Sequence, residues 1–281
     1  MGETKVPAVE PIDLSAVQQR DDLTVQSVGI AVEVLDAIAA AGKPVRLTQI
    51  AERLNMPRAR VHRYLKTLKQ LGLVWQERSG ERYGLGWRLF QLGQFASEQF
   101  EIKRLVEDPV RRLRDAVDAT VSVSVPANGL AVTIIVEQPR TRRPNLMVLE
   151  GRRLVPHATA QGRIALAFAD AAVRERILAQ PLPRLTDHTT TDVEVLRRRL
   201  AQIPSTLCEV CIGEIRPGVT TFAAPVLDRD GKLHAIVGML QVDEDAPESR
   251  HPELLRAVQQ CAAAVSRELN ADAYARIGIF A

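Results

Sequence analysis

The sequence predicts an α+β protein with an N-terminal winged helix-turn-helix, a linker helix, and a C-terminal domain in which helices flank a mainly antiparallel sheet. Two patterns carry this prediction. Residues 24–86 contain three short helical patterns followed by a hairpin pattern. Residues 105–272 then mix alternating, strand-like segments with further helical ones. A chain of 281 residues is long enough for two domains, each with its own core.

Three helices are predicted in residues 24–72, each with a narrow apolar face. The apolar positions of the first are Val28, Ala31, Val32, Leu35 and Ile38; those of the second are Leu47, Ile50, Ala51 and Leu54; those of the third are Val61, Leu65 and Leu68. Asn55 and Pro57 mark a tight turn between the second and third helices. Residues 74–76 and 82–84 flank a polar turn, which predicts a small β-hairpin, or wing.

The basic residues of the chain are concentrated in this N-terminal part. Residues 24–88 contain eleven Arg and Lys against five Asp and Glu, a net charge of +6, whereas the whole chain carries +3. This excess is typical of a surface that faces phosphate, although a solvated charged face gives the same signal. The candidate DNA contacts are Arg58, Arg60, His62, Arg63 and Lys66 on the third helix, with Arg78 and Arg82 in the wing. The alternative is an ordinary helical hairpin of an unrelated domain.

A linker helix is predicted at residues 87–104, where the helical pattern is rich in aromatic residues. Phe90, Phe95 and Phe100 follow one another at a spacing of five. Each is therefore rotated by about 140° from the last, so the three cannot share one face. A helix with aromatic side chains all round must be covered on several sides, which favours a position between domains and a partner subunit.

The predicted C-terminal domain, residues 105–272, contains strands in series with helices between them. Strands are predicted at 121–125 and 132–136, joined at Asn128-Gly129, and at 222–227 and 233–240. Helices are predicted at 160–179, after a capping box from Thr191 to Glu194, and at 252–270. Residues 1–23 are expected to form a flexible arm and residues 273–281 a C-terminal tail.

Several short motifs, in order along the chain, resemble the IclR family of bacterial regulators. They are Val25-Gln-Ser-Val28, Leu47-Thr-Gln-Ile-Ala-Glu-Arg-Leu54, Val61-His-Arg-Tyr-Leu65, Arg82-Tyr-Gly-Leu-Gly86, Pro156-His-Ala-Thr-Ala160 with Gly162-Arg163, Gly218-Val219 with Ala223-Ala-Pro-Val226, and Asp228-Arg-Asp-Gly231. The resemblance covers nearly all of residues 24–272. It implies a double-stranded DNA operator, a GAF-like effector domain, homodimers or dimers of dimers, contact with RNA polymerase, and action as repressor or activator.

One departure from the family pattern lies early in the third helix. The family often carries small hydroxyl residues where this chain has Ala59 and Arg60. The change removes hydroxyl groups that could bind phosphate and adds a cation. It therefore favours Arg60 as a phosphate contact.

The resemblance also implies a small-molecule site against the sheet of the C-terminal domain. The matching stretches are 156–163, 208–214, 218–224 and 238–240, and the candidate residues are His157, Thr159, Ala160, Gly162, Val210, Cys211, Phe222, Gly238 and Leu240. The backbone N–H groups at the start of the helix predicted from Ala160 favour a carboxylate, with Thr159 as a further donor. Family members that bind very small acids carry small hydroxyl residues where this chain has Gly238 and Leu240. The apolar wall indicates an aromatic or other largely hydrophobic acid, unless these residues only fill a core.

Other chemistry receives little support from the sequence. Cys208 and Cys211 form a C-x-x-C, but no second pair completes a zinc set, and no cofactor is expected. His157 has no identifiable Ser and Asp partners, so we expect no enzyme. No apolar run approaches the length of about 20 residues that spans a bilayer, so no membrane association is expected. Three cysteines are too few for a disulfide scaffold, which predicts a reducing cytoplasm. Two rival interpretations stay open: an enzyme built on the C-terminal domain, and a ligand-independent architectural DNA binder.

Overall fold

The structure, a computed structural model, describes residues 25–78, 80–98, 101–140, 148–242 and 250–279. The predicted N-terminal arm, residues 1–23, lies outside the described residues. The chain divides into two compact units, residues 1–99 and residues 100–281. Among the described residues, no helix is long and apolar enough to cross a membrane.

The first unit is a winged helix-turn-helix followed by one more helix. Its elements are α1 (Gln26–Ala40), β1 (Val45–Arg46), α2 (Leu47–Arg53), α3 (Arg58–Gln70), β2 (Val74–Gln76), β3 (Arg82–Leu85) and α4 (Trp87–Glu98). The strands form an antiparallel sheet in the order β1-β3-β2. The three helices meet in one core around Val34, Ile38, Ile50, Val61 and Leu65. The predicted helix-turn-helix is confirmed, but the apolar face predicted for α1 is wrong in part: Val28 is 62% exposed, whereas Val34 and Ala37, which were not predicted, are buried.

The predicted linker helix corresponds to α4, which is described to Glu98, and to the first residues of a helix described from Glu101; residues 99 and 100 lie outside the described residues. Trp87, Phe90 and Phe95 of α4 are 68%, 53% and 64% exposed, and Phe100 lies outside the described residues. The prediction that these rings are covered between domains and by a partner subunit stays a prediction.

The second unit is a five-stranded antiparallel sheet with helices on both faces. Its elements are α5 (Glu101–Val117), β4 (Thr120–Ala127), β5 (Leu130–Glu137), α6 (Ala160–Ala167), α7 (Ala171–Leu178), α8 (Val193–Thr206), β6 (Glu209–Ile212), β7 (Val219–Leu227), β8 (Leu233–Val242), α9 (His251–Glu268) and a 3-10 helix (Ala273–Ile277). The strand order is β5-β4-β8-β7-β6, so β5 and β6 are the edge strands. The predicted α+β class with a mainly antiparallel sheet is confirmed.

The two faces of this sheet are covered by different helices. α5 and α9 pack on one face, while α6 covers the other and contacts α8. The ring of Phe222 on β7 meets His251 of α9, with ring centroids 5.3 Å apart. The backbone of Gly238 on β8 lies against the side chain of Gln161 on α6. Strand side chains alternate between the two faces of a sheet. The Phe222 contact therefore identifies the strand residues that face α9, and the Gly238 contact identifies those that face α6.

Two predictions about helix ends differ from the structure. The helix predicted at 160–179 is two helices, because α6 ends before Phe168 and α7 starts after Asp170. The N-cap of α8 is Asp192 rather than Thr191, and its carboxylate accepts hydrogen bonds from Glu194 N (2.8 Å) and Val195 N (3.1 Å).

The expected C-terminal tail is folded over residues 273–277. The buried hydroxyl of Tyr274 donates to the carbonyl oxygen of Pro225 at 2.6 Å. This hydrogen bond ties the 3-10 helix to β7. The short edge strand β6 was also not foreseen.

Candidate nucleic-acid and effector sites

Helix α3 separates an apolar face from a basic one. Val61, Leu65 and Leu68 are buried in the core of the first unit. At about 100° per residue, Lys66 and Arg63 lie roughly 140° and 200° around the axis from Val61. Both are exposed. This division is what a helix needs in order to enter the major groove while one face remains packed on its own domain.

The seven candidate DNA contacts all lie at or near the surface of the first unit. Arg60 is half-buried; the exposed members are Arg58, His62, Arg63, Lys66, Arg78 and Arg82. Within the described part of the chain, none of these seven side chains makes an ion pair or a side-chain hydrogen bond. Their donors are therefore available to phosphate oxygens and base edges.

The wing is tied to α3 by a polar contact that the sequence did not reveal. Lys69 Nζ donates to Gln76 Oε1 at 2.8 Å, and Gln76 Nε2 in turn donates to Tyr83 Oη at 3.0 Å and to Gly80 O at 2.7 Å. Gly84 must lack a side chain, because a Cβ atom there would lie 2.6 Å from the indole of Trp75. The hydrogen bond from Lys69 joins the β2–β3 hairpin to the helix, and Gly84 makes room for the Trp75 indole within the hairpin.

The start of α6, where a ligand carboxylate was expected, already has internal hydrogen bonds. Thr159 Oγ1 accepts from Gly162 N at 2.9 Å and donates to Val155 O at 2.8 Å. Ala160 N donates to Thr221 Oγ1 at 3.4 Å. His157 is buried, with Nε2 2.9 Å from the carbonyl oxygen of Pro183. A carboxylate at this point has to compete with Thr159 and Thr221 for the same N–H groups.

The structure brings together only part of the candidate effector residues. Gly238 and Leu240 are two residues apart on β8, so both face α6. Thr221 pairs with Leu240, and Cys211 pairs with Thr221, so Thr221 and Cys211 lie on the same face. Val210 and Phe222 pair with each other and point to the opposite face, where Phe222 contacts α9. The grouping of all nine residues in one site is therefore corrected. Those on the α6 side are His157, Thr159, Ala160, Gly162, Cys211, Gly238 and Leu240.

A fully buried arginine on α6 is held by two carboxylates near the sheet edge. Arg163 is 0% exposed, and its Nη1 and Nη2 lie 2.9 Å from Glu209 Oε1 and 2.5 Å from Glu214 Oε2. Its Nε donates to His157 O at 2.8 Å. The guanidinium thus joins α6 and the segment before it to β6 and to the loop that follows β6.

Glu214 is the centre of this ionic network. Its second oxygen accepts from Arg199 Nη1 at 3.2 Å, and Oε2 also accepts from Thr190 N at 2.8 Å. Burial opposes ionisation of the Glu214 carboxyl, but the Thr190 hydrogen bond and the Arg163 charge outweigh it and lower its pKa. Glu214 is therefore a carboxylate at neutral pH.

The cysteines do not form a shared site in the described residues. Cys208, Cys211 and Cys261 are all free thiols. Burial raises the pKa of the Cys211 thiol well above its usual range, against the effect of Arg163, so it is an inert thiol at neutral pH. No group of three or more His, Cys, Asp or Glu side chains is placed to hold a metal ion in the part that the structure describes.

The buried polar residues of α6 are the main feature that sequence reasoning missed. Gln161 and Arg163 lie inside the motif that carried the family resemblance, yet neither was named as a candidate. Their signal was available, since two polar residues flank Gly162 in an otherwise apolar segment. The partners of Arg163, Glu209 and Glu214, lie 46 and 51 residues away along the chain, so local patterns do not connect them.

Comparison with known proteins gives one family for both units. The model of the bacterial transcriptional regulator IclR C-terminal family matches residues 94–267, and that of the IclR helix-turn-helix domain matches residues 27–78. The glycerol operon regulatory protein of Streptomyces griseus is 29% identical over 254 residues, which cover 89% of this chain and 98% of that protein. The HTH-type transcriptional regulator KdgR of Dickeya chrysanthemi is 28% identical over 212 residues, covering 74% and 69% of the two chains.

Solved structures show the same architecture. The IclR transcriptional regulator from Alicyclobacillus acidocaldarius has a TM-score of 0.74 at 25% identity, with 87% of this chain and 98% of that chain covered. An IclR homologue from Microbacterium hydrocarbonoxydans, complexed with 4-hydroxybenzoate, has a TM-score of 0.71 at 24% identity, with 87% and 99% covered. The fold of both units is therefore one that related chains adopt.

Proposed function

Because the chain belongs to the IclR family of bacterial transcriptional regulators, we propose that it binds a double-stranded DNA operator through α3 and the wing. We further propose that a small organic acid, bound between α6 and the sheet, controls this binding. The helix-turn-helix regulator follows from the family itself. The particular DNA contacts, the acid and the assembly are inferences from the residues.

The observation that carries the DNA proposal is the basic face of α3. Arg63 and Lys66 project away from the core, and Arg60 lies beside them. Since none of these cations is neutralised by a carboxylate of the described residues, each can displace a counterion from phosphate. Arg78 and Arg82 place further positive charge on the wing, where it can reach the adjacent backbone or the minor groove.

The DNA proposal is tested with the double variant Arg60→Ala, Arg63→Ala. Operator affinity should fall, and the slope of log K against log salt should flatten by about 0.9 for each phosphate contact that is lost. Arg229→Ala removes an exposed arginine from the second unit and is the matched control. If the double variant keeps the affinity and the slope of the wild type, α3 is not the recognition helix.

The acid proposal rests on the seven candidate residues that share the α6 side of the sheet. The helix start at Thr159 and Ala160 supplies N–H groups for a carboxylate, which would replace their present partners. Leu240, which is only half-buried, supplies apolar surface for the body of the ligand. An aromatic acid matches this combination of one polar end and one apolar wall.

Calorimetric titration tests the acid. Benzoate and 4-hydroxybenzoate are the first probes; the second is present in the Microbacterium homologue, whose 24% identity supports the fold and not the ligand. Thr159→Val frees Gly162 N from its present acceptor and should therefore strengthen binding of the acid, and Leu240→Ser should shift preference towards smaller, more hydrophilic acids. Binding of pyruvate or glyoxylate alone would show that the apolar-wall argument is wrong. Binding of no acid would remove this site and leave the DNA proposal intact.

The exposed aromatic side chains of α4 support a homodimer or a dimer of dimers. Trp87 stacks on Phe90 with ring centroids 4.7 Å apart, and Phe95 is exposed on the same helix. Large apolar side chains left in water by one chain are typical of a surface that a partner covers. A dimer would also present two copies of α3 to successive major grooves.

A further inference from the structure

The face of α6 that meets the sheet carries one buried polar side chain, Gln161. It is 8% exposed. Its Nε2 donates to Ser124 Oγ at 3.0 Å and to the carbonyl oxygen of Ile236 at 3.1 Å, while Ser122 Oγ donates to its Oε1 at 3.1 Å. Thr133 on β5 extends the row of hydroxyl groups, with Oγ1 3.4 Å from Ser124 Oγ. The carboxamide thus lies in a uniformly uncharged polar pocket on the sheet.

Gly238 is what allows Gln161 to enter this pocket. A Cβ atom at position 238 would lie 2.3 Å from Cδ of Gln161. A glycine inside a strand weakens the strand, and a buried glutamine loses rotamer freedom. An apolar side chain at 161 above a larger residue at 238 would fill the same space without either cost. Gly238 and Gln161 therefore maintain a polar pocket on the sheet that good packing of α6 does not require.

We propose that the Gln161 carboxamide is an internal ligand, which occupies the inner end of the effector pocket and is replaced there by a polar group of the effector. This inference rests on the proposed function, in which the effector binds between α6 and the sheet. The carboxylate of the effector lies at the start of α6. Its other end takes the place of the carboxamide on Ser122, Ser124 and Ile236.

The chemistry of the pocket defines the group that can replace Gln161. The carbonyl oxygen of Ile236 only accepts, so the incoming group must donate, whereas the serine hydroxyls can donate or accept. None of the described groups that bond the carboxamide is charged. A second carboxylate would bury an unpaired anion against a carbonyl oxygen. The effector class is therefore an acid with a hydroxyl or carboxamide group at its far end, and dicarboxylates are excluded.

The pocket itself is tested with Gln161→Ala, which vacates it, and with acetamide, which has the heavy atoms that the substitution removes. Acetamide at millimolar concentration should raise the melting temperature of Gln161→Ala and leave that of the wild type unchanged. Acetate has the same size but carries a charge, and it should have no such effect. Gln161→Leu, which refills the space without polar atoms, should not respond to either compound. Gln161→Ser serves in the same assay if the alanine variant does not fold.

A second titration tests whether the effector replaces Gln161. In the wild type, 4-hydroxybenzoate and 4-carbamoylbenzoate should bind about two- to tenfold more tightly than benzoate, and terephthalate more weakly than benzoate. Gln161→Ala should raise the affinity for 4-carbamoylbenzoate by about tenfold or more, because no internal hydrogen bonds have to be broken first. Its affinity for benzoate should change much less.

The two experiments separate failure of this inference from failure of the proposed function. Equal responses of Gln161→Ala to acetamide and acetate would overturn the pocket chemistry. Equal affinities of the wild type and Gln161→Ala for 4-carbamoylbenzoate would overturn the replacement. If no acid binds either protein, the acid function fails, and the acetamide response alone then supports or overturns the inner pocket.

Discussion

Replacing Arg163 with methionine should strongly destabilise the second unit. The guanidinium is 0% exposed, and its partners Glu209 and Glu214 have side chains that are 10% and 4% exposed. Methionine retains a long apolar stem but leaves both carboxylates without their shared cation. Removing one partner of a buried ion pair typically costs about 3–5 kcal/mol, because the remaining charge is buried and unpaired. We expect a loss of that size in the free energy of unfolding.

Urea unfolding of the full chain can assign this loss to the correct unit. Both tryptophans of the chain, Trp75 and Trp87, lie in the first unit, so their fluorescence reports on that unit, whereas far-ultraviolet circular dichroism reports on both. The Arg163→Met variant should unfold earlier by circular dichroism, with the fluorescence midpoint unchanged. An Arg163→Met protein as stable as the wild type by both signals would refute the reasoning.

Two further variants test the cause of the loss. Arg197→Met removes an arginine that pairs with Glu175 and Glu194 at the surface, and it should leave the unfolding curve nearly unchanged, because solvent screens exposed pairs. Adding Glu209→Gln and Glu214→Gln to Arg163→Met should recover part of the lost stability, since no unpaired buried charge then remains. A triple variant that is no more stable than Arg163→Met would indicate that the guanidinium contributes through packing instead.

Three other predictions follow from single contacts. The folded-state pKa of Glu214 is lowered from 4.5, so its carboxylate stabilises the fold above that pH. This stabilisation should be lost as the pH falls through the lowered pKa, and a pH series of unfolding curves for Glu214→Gln should not show this loss. Asp192→Ala should cost about 1 kcal/mol in urea unfolding through loss of the α8 cap, and Asp192→Asn should restore most of it. Phe95→Asp should convert the dimer to a monomer in sedimentation experiments, and a monodisperse wild-type monomer at micromolar concentration would contradict the proposed assembly.

The elements with strong local signals could be predicted from the sequence. The β4–β5 hairpin turns at Asn128 and Gly129, whose φ angles of 52° and 80° are those that a two-residue hairpin turn requires. Helix α3 buries Val61, Leu65 and Leu68, as its helical spacing predicted. In both cases a short stretch of chain contains all of the determining information.

Elements whose existence depends on distant partners could not be predicted. Strand β6 has only four residues, and its pairing with β7 is what makes it a strand. The break between α6 and α7 is equally hard to see, because the apolar pattern continues through it. α6 is buried on all sides, whereas α7 has exposed faces, and only the tertiary structure shows this change.

Which candidate effector residues share a face of the sheet could be predicted only in part. Gly238 and Leu240 share a face by simple alternation along β8. Whether Phe222 joins them depends on the register between β7 and β8, and Phe222 pairs with Met239 rather than with Gly238. A shift of one residue would have reversed its side, and a single sequence does not fix that register. The same alternation separates Val210 from Cys211 on β6.

The anchoring of α6 decides how a ligand can enter beneath it. Gln161 and Arg163 are two residues apart, so they point about 200° apart around the helix. Gln161 can leave the sheet by rotating its own side chain, whereas movement of the whole helix must break the contacts of Arg163 with Glu209, Glu214 and His157. If the ligand only replaces Gln161, Arg163→Lys, which preserves the charge, should leave the affinity for 4-carbamoylbenzoate close to that of the wild type. If the helix has to move, the weakened anchor should raise that affinity severalfold, and such an increase would refute replacement by side-chain rotation alone.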